Sequence, residues 1–265
     1  MPAAPGLELG AYASLTGEPL LGVDVSIGAG ARIDGVVTIG DRARFGPNVV
    51  VTGTSAEPVQ IGRDTELGAG VIVVPGVTVG PYALVQPGTV LTQDVPARAV
   101  VGGSPTRIVG YVGTGAAAPA PSPDRAVESL GNVRGAQLLE LPAIADVRGA
   151  LTFAQVGDHL PFVPRRMFVQ YAVPSREARG EHAHREQHQL LVCVHGSVRA
   201  LVDDGEHRAE ALLDRPSLAL HVPPMVWGGQ YDYAPDSVLV VLASDVYSDG
   251  DYIRDYDEFE TLIRA

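Results

Sequence analysis

The sequence predicts an all-β chain in two parts: a coil built from repeated short strands, followed by a small barrel or sandwich of longer strands. Three observations support this prediction. The 31 Gly and 21 Pro among 265 residues favour turn-rich β structure over helix bundles. Aliphatic residues recur every six positions in the first half of the chain, and all seven His lie after residue 158.

The first half carries a six-residue repeat, which is neither helical nor a simple strand alternation. The register of the repeat changes across Thr52–Gln60, and Gly follows many of the repeated residues. We expect these Gly to relieve tight corners where a positive φ is needed. The pattern fits a coil with three short strands per turn, each directing one aliphatic side chain inward. The repeated positions are Leu15, Leu21, Ile27, Ile33, Ile39, Phe45 and Val51, then Ile61, Leu67, Val73, Val79, Val85 and Leu91.

This repeat and the ending Val100–Gly110, VVGGSPTRIVG, resemble the hexapeptide-repeat acyltransferases, whose fold is a left-handed parallel β-helix. The resemblance covers roughly residues 10–112 and implies a trimer with acyl-CoA bound between neighbouring coils. Members generally use a His as general base, whereas residues 1–120 contain none and the phase break offers only Glu57. Two interpretations stay open for this half: acetyl-CoA-dependent acyl transfer, or a trimerising scaffold without catalysis.

A change of composition divides the chain. Residues 113–124, GTGAAAPAPSPD, are rich in Ala, Pro, Gly and Ser, which is typical of a semi-extended linker. Residues 1–120 contain 21 Gly and no His, whereas residues 121–265 contain 10 Gly and every His. We therefore predict a β-helix at residues 1–112, a linker at 113–134 and a second domain at 135–265.

The second half consists of short apolar segments separated by turn signals such as Asp204-Gly205. Many short strands at regular spacing predict an all-β sandwich or barrel. Asp251–Ile263 is the one predicted helix. The predicted strands are Leu141–Val156, Arg166–Val173, Gln189–Val194, Ser197–Asp203, Arg208–Leu213, Ser217–Val222 and Ser237–Ala243.

Composition also excludes several classes of function. The net charge of −12, with every basic residue an Arg, argues against a nucleic-acid-binding surface. The single cysteine, Cys193, excludes an internal disulfide and a multi-cysteine metal site. No stretch is apolar for 18 residues, and the N-terminus lacks the basic and apolar regions of a signal peptide. We expect no membrane association and a cytoplasmic location.

The sharpest cluster of chemistry-bearing residues is Arg179–Gln189, RGEHAHREQHQ. On a strand, the spacing of His182 and His184 puts both imidazoles on one face, an arrangement suited to metal ligation or proton transfer. The glycines and histidines resemble the first motif of the cupin barrels. Metal-binding cupins carry a Glu where this chain has Gln189 or His188, and a third His where it has Gly228. Because metal sites usually recruit at least three protein ligands, we predict no metal and keep a metal-dependent cupin enzyme as the alternative.

Proton transfer is the better interpretation of the pair, because imidazole titrates near neutrality. Three arginines, Arg148, Arg166 and Arg179, can bind an anionic group such as a diphosphate through bidentate contacts. Solvated surface charge is the alternative for each of them. Strand alternation points His221 toward the interior of the barrel, which makes it a candidate pocket residue.

A set of motifs in one order then resembles a specific family, the dTDP-4-keto-6-deoxyglucose 3,4-ketoisomerases, which are cupin-fold (jelly-roll) enzymes of deoxysugar biosynthesis. The resemblance covers roughly residues 135–262 and implies isomerisation without a cofactor. A base removes the proton on carbon 3, an enediol forms, and a proton is delivered to carbon 4. The motifs are DVRG at 146–149, RGEHAH at 179–184, Gln189, Trp227, LAS at 242–244 and DYIRDYDEF at 251–259.

The family pattern assigns roles to residues of this chain. It implies His184 as the base and His182 as its acid or orienting partner. Tyr171 and Arg179 would hold the sugar and the diphosphate, with Arg148 as a further diphosphate ligand. The other predicted substrate-binding residues are Arg166, Gln189, Trp227 and His221; Trp227 either stacks on the thymine or sugar, or closes the barrel end.

The resemblance also implies an assembly. Some members of the family are fused to a hexapeptide-repeat domain, in the order found here. A trimeric β-helix joined to a dimeric cupin predicts a homo-hexamer that binds a dTDP-linked keto sugar. A bifunctional enzyme that also N-acetylates a later amino sugar with acetyl-CoA is the alternative. Gly228 departs from the family pattern, since several relatives carry a His there.

Overall fold

The computed structural model describes residues 5–17, 19–114 and 127–265. The chain divides into two compact units, Met1–Val112 and Gly113–Ala265. Residues 115–126 of the predicted linker lie outside the described residues. Residues 127–134, also assigned to the linker by the sequence, contain a paired strand and the buried Leu130 and Val133, so they belong to the second unit.

The first unit is a parallel β-helix, as the repeat predicted. Its strands form three sheets with orders β1-β4-β7-β10-β13-β15-β16, β14-β11-β8-β5-β2 and β12-β9-β6-β3. All neighbours are parallel except the closing pair of strands, β15 and β16. The strands are β1 (Glu8–Leu9), β2 (Ser14–Gly17), β3 (Leu20–Leu21), β4 (Ser26–Ile27), β5 (Arg32–Gly35), β6 (Val37–Ile39), β7 (Arg44–Phe45), β8 (Val50–Gly53), β9 (Val59–Ile61), β10 (Glu66–Leu67), β11 (Ile72–Val73), β12 (Thr78–Val79), β13 (Leu84–Val85), β14 (Val90–Leu91), β15 (Ala99–Gly102) and β16 (Arg107–Tyr111).

The strand register explains the change of phase in the repeat. Ser26 pairs with Arg44, so this turn of the coil takes 18 residues, whereas Arg44 pairs with Glu66 and the next takes 22. The extra length forms a tight loop at Thr54–Glu57, where the backbone NH of Glu57 donates to the Thr54 hydroxyl. Every repeated aliphatic or aromatic side chain from Ile27 to Leu91 is buried.

The glycines of the repeat serve a different purpose from the one expected. A Cβ added at Gly28 would lie 2.6 Å from the backbone of the next turn, and one at Gly46 would lie 2.7 Å from it. Neither residue has a positive φ; the left-handed backbone occurs two residues later, at Gly30 and Asn48. Gly therefore follows the buried residue because adjacent turns approach too closely there for a side chain.

The second unit is built from two antiparallel sheets with orders β17-β18-β26-β23-β28-β21 and β25-β24-β27-β22-β29, plus the separate hairpin β19–β20. This confirms the predicted all-β barrel or sandwich. The elements are β17 (Val127–Ser129), β18 (Gln137–Glu140), β19 (Ala143–Asp146), β20 (Gly149–Thr152), β21 (Arg166–Tyr171), β22 (Arg179–His184), β23 (Gln189–His195), β24 (Val198–Asp203), β25 (Arg208–Leu213), β26 (Leu218–Val222), β27 (Trp227–Tyr231), β28 (Val238–Ala243), a 3₁₀ turn (Asp249–Asp251), β29 (Tyr252–Ile253) and α1 (Tyr256–Arg264).

Strand alternation places the core between the two sheets. Leu191, Cys193 and Leu220 on the six-stranded sheet join a buried cluster with Val198 and Val202 on the five-stranded sheet. The residues that alternate with them along the strands, such as Leu190 and Ala219, face the other side of the six-stranded sheet. The buried Cys193 thus has the structural role expected of a small apolar side chain.

The strand predictions differ from the structure in several places. The single strand predicted at Leu141–Val156 is the hairpin β19–β20, because Asp146–Gly149 forms a turn in its middle. The sequence reasoning also missed β17, β18 and β29. It missed β27 because Gly228 and Gly229 interrupt the apolar pattern there. The helix begins at Tyr256 rather than Asp251, since the Asp255 side chain accepts a hydrogen bond from the NH of Glu258 and so caps it. No helix among the described residues is long and apolar enough to cross a membrane.

Candidate active site

A small cavity opens into the second unit between its two sheets. Strand β22 supplies both histidines of the RGEHAH motif, the turn after it supplies Gln187, and β23 supplies Gln189. The opposite wall comes from the end of β26 and from β27. The lining residues are His182, His184, Gln187, Gln189, Val222, Pro223, Val226, Gly228 and Gln230.

A β-bulge in β22 lies directly before the histidines. Gly180 pairs with Gly229 and His182 pairs with Gly228, so Glu181 is an extra residue in the strand, and its φ is +54°. Such a bulge changes the direction in which the following side chains point. Beyond it, His182 and His184 share one face as the spacing predicted, with ring centroids 4.8 Å apart.

His184 is held on both of its ring nitrogens. Its Nδ1 lies 2.7 Å from Oδ2 of Asp251, and the other oxygen of Asp251 accepts from the backbone NH of Glu186. On the opposite side, the amide nitrogens of Gln187 and Gln189 lie 3.1 and 2.9 Å from its Nε2. A carboxylate on Nδ1 fixes the proton there, which leaves the Nε2 lone pair directed to the cavity side of the ring.

His182 meets His184 through Nε2. The two Nε2 atoms are 3.1 Å apart, while Nδ1 of His182 lies 2.8 Å from the carbonyl oxygen of Gly180. A carbonyl only accepts, so Nδ1 of His182 carries a proton as well. Both Nε2 lone pairs therefore face each other in the neutral pair, and a hydrogen bond between the rings requires one additional shared proton. This arrangement can accept a proton and return it.

Burial disfavours the positive charge that this additional proton would bring to the histidine pair. The pKa of His184 is lowered to about 4, first by burial and then by the neighbouring His182, while Asp251 opposes the shift. Burial also lowers the pKa of His182, although the carbonyl of Gly180 opposes this. At neutral pH His184 is unprotonated, as a general base must be.

A second histidine pair lies on the other side of the six-stranded sheet. Nδ1 of His188 is 3.0 Å from Nε2 of His221, and the ring planes differ by 6°. The ring centroids are 5.3 Å apart, which is the separation expected when two imidazole rings meet edge to edge through this N···N contact. The rings therefore lie side by side in nearly one plane. His221 is buried, faces away from the core, and packs near Phe162. The structure thus separates His221, a predicted pocket residue, from the cavity.

These histidines predict acid-sensitive stability. Burial lowers the pKa of His221 to about 4 from 6.5, and the pKa of His188 in the same direction. Between pH 6.5 and 4 the unfolded chain binds more protons than the folded one, so the free energy of unfolding falls as the pH falls. We expect urea midpoints to decline through this window, and to decline less in His221→Leu. Equal pH dependence in the variant would contradict the prediction.

Two other predicted site residues belong to the histidine cluster. Gln189 is buried against His184. Arg166 is half-buried on β21 and donates through Nη2 to Oε1 of Gln187 at 3.2 Å.

Gly228 leaves open space in the cavity wall, since a Cβ there would meet no atom closer than 3.8 Å. A larger side chain at Gly228 would therefore project into this cavity.

The remaining predicted binding residues are not gathered at the histidines. Tyr171 is 69% exposed at the end of β21, and Arg179 is exposed at the start of β22. Arg148 lies in the turn of the exposed hairpin β19–β20 and pairs with Asp146 at 2.5 Å. Trp227 is buried on the opposite face of β27, with its ring 5.1 Å from that of Tyr256 and 5.6 Å from that of Phe259.

Of the two roles left open for Trp227, its position favours closing the barrel end over stacking on a ligand, and it gives a test. Trp227→Leu is expected to lower the free energy of unfolding by about 3 kcal/mol, because α1 loses its largest packing partner. The Michaelis constant should stay unchanged, since the ring does not line the cavity. Denaturant unfolding and steady-state kinetics on the same preparation separate the two effects. If Trp227→Leu raises the Michaelis constant and leaves the free energy of unfolding unchanged, the Trp227 ring stacks on the ligand instead.

Sequence reasoning missed three residues of the cluster: Asp251, Tyr252 and Gln187. The Tyr252 ring lies 4.8 Å from that of His182 and 4.4 Å from that of His184. Asp251 and Tyr252 stand in the DYIRDYDEF motif, whose first residues were expected to begin a helix. Strand pairing of His184 with Tyr252 brings this motif to the histidines. Among the described residues, no group of three or more His, Cys, Asp or Glu is placed to hold a metal ion.

Comparison with known proteins places this site in a family. Residues 134–264 match the family model described as FdtA, WxcM-like, C-terminal, and residues 58–93 match the bacterial transferase hexapeptide model with six repeats. A curated TDP-4-oxo-6-deoxy-α-D-glucose-3,4-oxoisomerase from Aneurinibacillus thermoaerophilus is 39% identical over 127 residues, covering 48% of this chain and 91% of the relative. The chain belongs to this sugar 3,4-ketoisomerase family. The predicted family and the predicted isomerase class are therefore confirmed.

Two solved structures of ketoisomerases are similar to about half of this chain. One is a 3,4-ketoisomerase from Helicobacter canadensis, 32% identical, covering 49% of this chain and 98% of that one, with a TM-score of 0.48. The other is the sugar 3,4-ketoisomerase QdtA from Thermoanaerobacterium thermosaccharolyticum in complex with TDP. It is 32% identical and covers 50% of this chain and 96% of that one, with a TM-score of 0.49.

Proposed function

We propose that the second unit isomerises dTDP-4-keto-6-deoxyglucose to a dTDP-3-keto-6-deoxyhexose. The observation that carries the proposal is the histidine pair in the cavity wall, backed by Asp251 and placed on the strand that carries the RGEHAH motif. The relative that is 39% identical is named for a TDP-4-oxo-6-deoxyglucose substrate, which supports the same substrate here.

The reaction moves a carbonyl by one carbon and needs a base and an acid on neighbouring atoms. His184 removes the proton on carbon 3, which the ketone at carbon 4 acidifies, and the electron pair moves onto the oxygen of carbon 4, which takes up a proton to give the enediol. The hydroxyl group on carbon 3 then loses its proton as a proton is delivered to carbon 4, and the ketone forms at carbon 3. His182, whose Nε2 faces that of His184, is the acid or orienting partner that supplies or receives the second proton.

The substrate-binding roles of the other residues follow from charge. Gln189 and Arg166 adjoin the histidines and suit the hydroxyl groups of the sugar. Arg179, Arg148 and Tyr171 are exposed, and we assign them to the diphosphate and the nucleotide, which extend out of the cavity. A reaction on a nucleotide-linked sugar is consistent with the cytoplasm as the site of action.

An NMR time course with the 4-keto sugar nucleotide in deuterated water tests the proposal. We expect the 3-keto isomer to accumulate and deuterium to enter at the carbon that is reprotonated. The position and configuration of the deuterium identify the face of the enediol that receives it. Activity that persists after exhaustive chelation would oppose a metal-dependent cupin enzyme. A substrate spectrum that does not change with time would refute the isomerase proposal.

We further propose a homo-hexamer in which the β-helix trimerises and the second unit dimerises. The hexapeptide repeats support the trimer. An exposed apolar surface on β21 supports the dimer, since Met167 is 63% exposed and Val169 is 40% exposed. Light scattering should report six chains for the native protein and three for Met167→Glu. A monomer in either sample would contradict the assembly.

A further inference from the structure

Gln187 lies within the segment Arg179–Gln189 that identified the site, but the sequence assigned it no role, and in the structure it links two residues of the site. It is buried in the turn between β22 and β23. Its Oε1 accepts from Nη2 of Arg166 at 3.2 Å, and its Nε2 lies 3.1 Å from Nε2 of His184.

Chemistry fixes the orientation of this amide. A guanidinium group only donates, so the amide atom that faces Arg166 must be the oxygen. The NH₂ group then has to face His184. In the described part of the chain the oxygen of Gln189 has no such donor, so its amide can turn over, whereas that of Gln187 cannot do so without losing the contact to Arg166.

A donor fixed against Nε2 of His184 has a consequence for the protons of the ring. The NH₂ group is attracted by a lone pair on Nε2 and repelled by an N–H there. It therefore favours the form in which the ring proton stands on Nδ1, the atom that faces Asp251 at 2.7 Å. The Arg166–Gln187 contact and the Asp251 contact act on opposite nitrogens and select the same form.

We propose that Gln187, oriented by Arg166, is a positioning residue that keeps Nε2 of His184 unprotonated and available as a base. This inference rests on the proposed function, in which His184 removes the proton on carbon 3. The other charged or titratable groups that face His184 are His182 on its own strand, Asp251 of the 3₁₀ turn, Arg166 on β21 and Tyr252 on β29. None of them presents a neutral, fixed donor to Nε2.

The test replaces the fixed donor with an acceptor of the same shape. In Gln187→Glu the carboxylate keeps its contact with Arg166 and turns an oxygen toward Nε2, which favours a proton there. We expect the titration midpoint of His184, followed by NMR of ¹⁵N-labelled histidine, to rise by ~1 pH unit or more. The acid limb of the pH–rate profile should move upward by the same amount.

Two further variants keep the result interpretable. Gln187→Met removes the donor without adding charge, so part of the His184 population should shift its proton to Nε2 at neutral pH. Gln60→Glu makes the same change of charge at an exposed position of the first unit and should leave the titration of His184 unaltered. Unchanged ¹⁵N shifts of His184 in both Gln187 variants would overturn the proposal. The NMR titration needs no turnover, so an inactive wild-type enzyme would refute the proposed function and not this inference.

Discussion

Replacing His184 with Asn is expected to reduce the rate of 3,4-isomerisation by about a thousandfold while the protein stays folded. General base catalysis by a positioned side chain contributes about 10²- to 10⁴-fold, and Asn has no group that accepts a proton at neutral pH. Asn retains a polar side chain that can still meet Asp251, so the loss reflects the missing base rather than a collapsed cavity. Turnover is measured by NMR at saturating substrate, with thermal unfolding as the check on folding.

The control for His184→Asn is the same substitution at an exposed histidine. His195 lies at the end of β23, outside the cavity lining, and His195→Asn should keep the wild-type rate. His182→Asn gives a further comparison. If His182→Asn is inactive and His184→Asn retains full activity, the two roles are reversed and His182 is the base. Full activity in both would remove the histidine pair from the mechanism.

Asp251→Asn is expected to lower the rate by about a hundredfold or more, although Asp251 contacts only the imidazole and not the cavity. The carboxylate holds the proton of His184 on Nδ1 and stabilises the imidazolium that forms when the base accepts a proton. An amide supplies no charge, and it can present an NH₂ group that reverses the tautomer. The turnover number should fall, while the Michaelis constant changes little.

A neighbouring residue provides the matched control for this carboxylate. Asp249 begins the same 3₁₀ turn but is exposed and pairs with Arg254 at 2.9 Å. Asp249→Asn removes the same charge two residues away and should leave the turnover number unchanged. Equal losses in the two variants would assign the effect of Asp251→Asn to the turn as a whole rather than to the contact with His184.

The first unit was largely predictable because its architecture repeats. Each turn of the coil buries the same positions. The six-residue period at Ile27, Ile33 and Ile39 therefore identifies the strands, the corners between them and the buried side chains at the same time. The phase break could be located but not interpreted, since a shift of register does not reveal which residues leave the coil. The role of the glycines was misjudged because close approach to the next turn depends on a neighbour one turn of the coil away, 18 residues on for Gly28 and 22 for Gly46.

The candidate site was only partly predictable, for the opposite reason. Spacing along one strand was enough to bring His182 and His184 together. Asp251 lies 67 residues from His184 and reaches it only through strand pairing, which no local pattern indicates. His221 was misplaced because alternation tells which residues share a face but not which face borders the cavity. The role of Trp227 stayed open because its strand, β27, was not predicted.

The pairing of β29 with β22 has a consequence for when the site comes into being. His184 is in place once the strands around it have folded, yet its carboxylate partner belongs to a segment that follows β28, the last strand of the six-stranded sheet. During synthesis a ribosome releases the histidines well before it releases Asp251. A nascent chain that has released the histidines therefore still lacks the carboxylate that contacts Nδ1 of His184, and this contact forms only when the following segment pairs with β22.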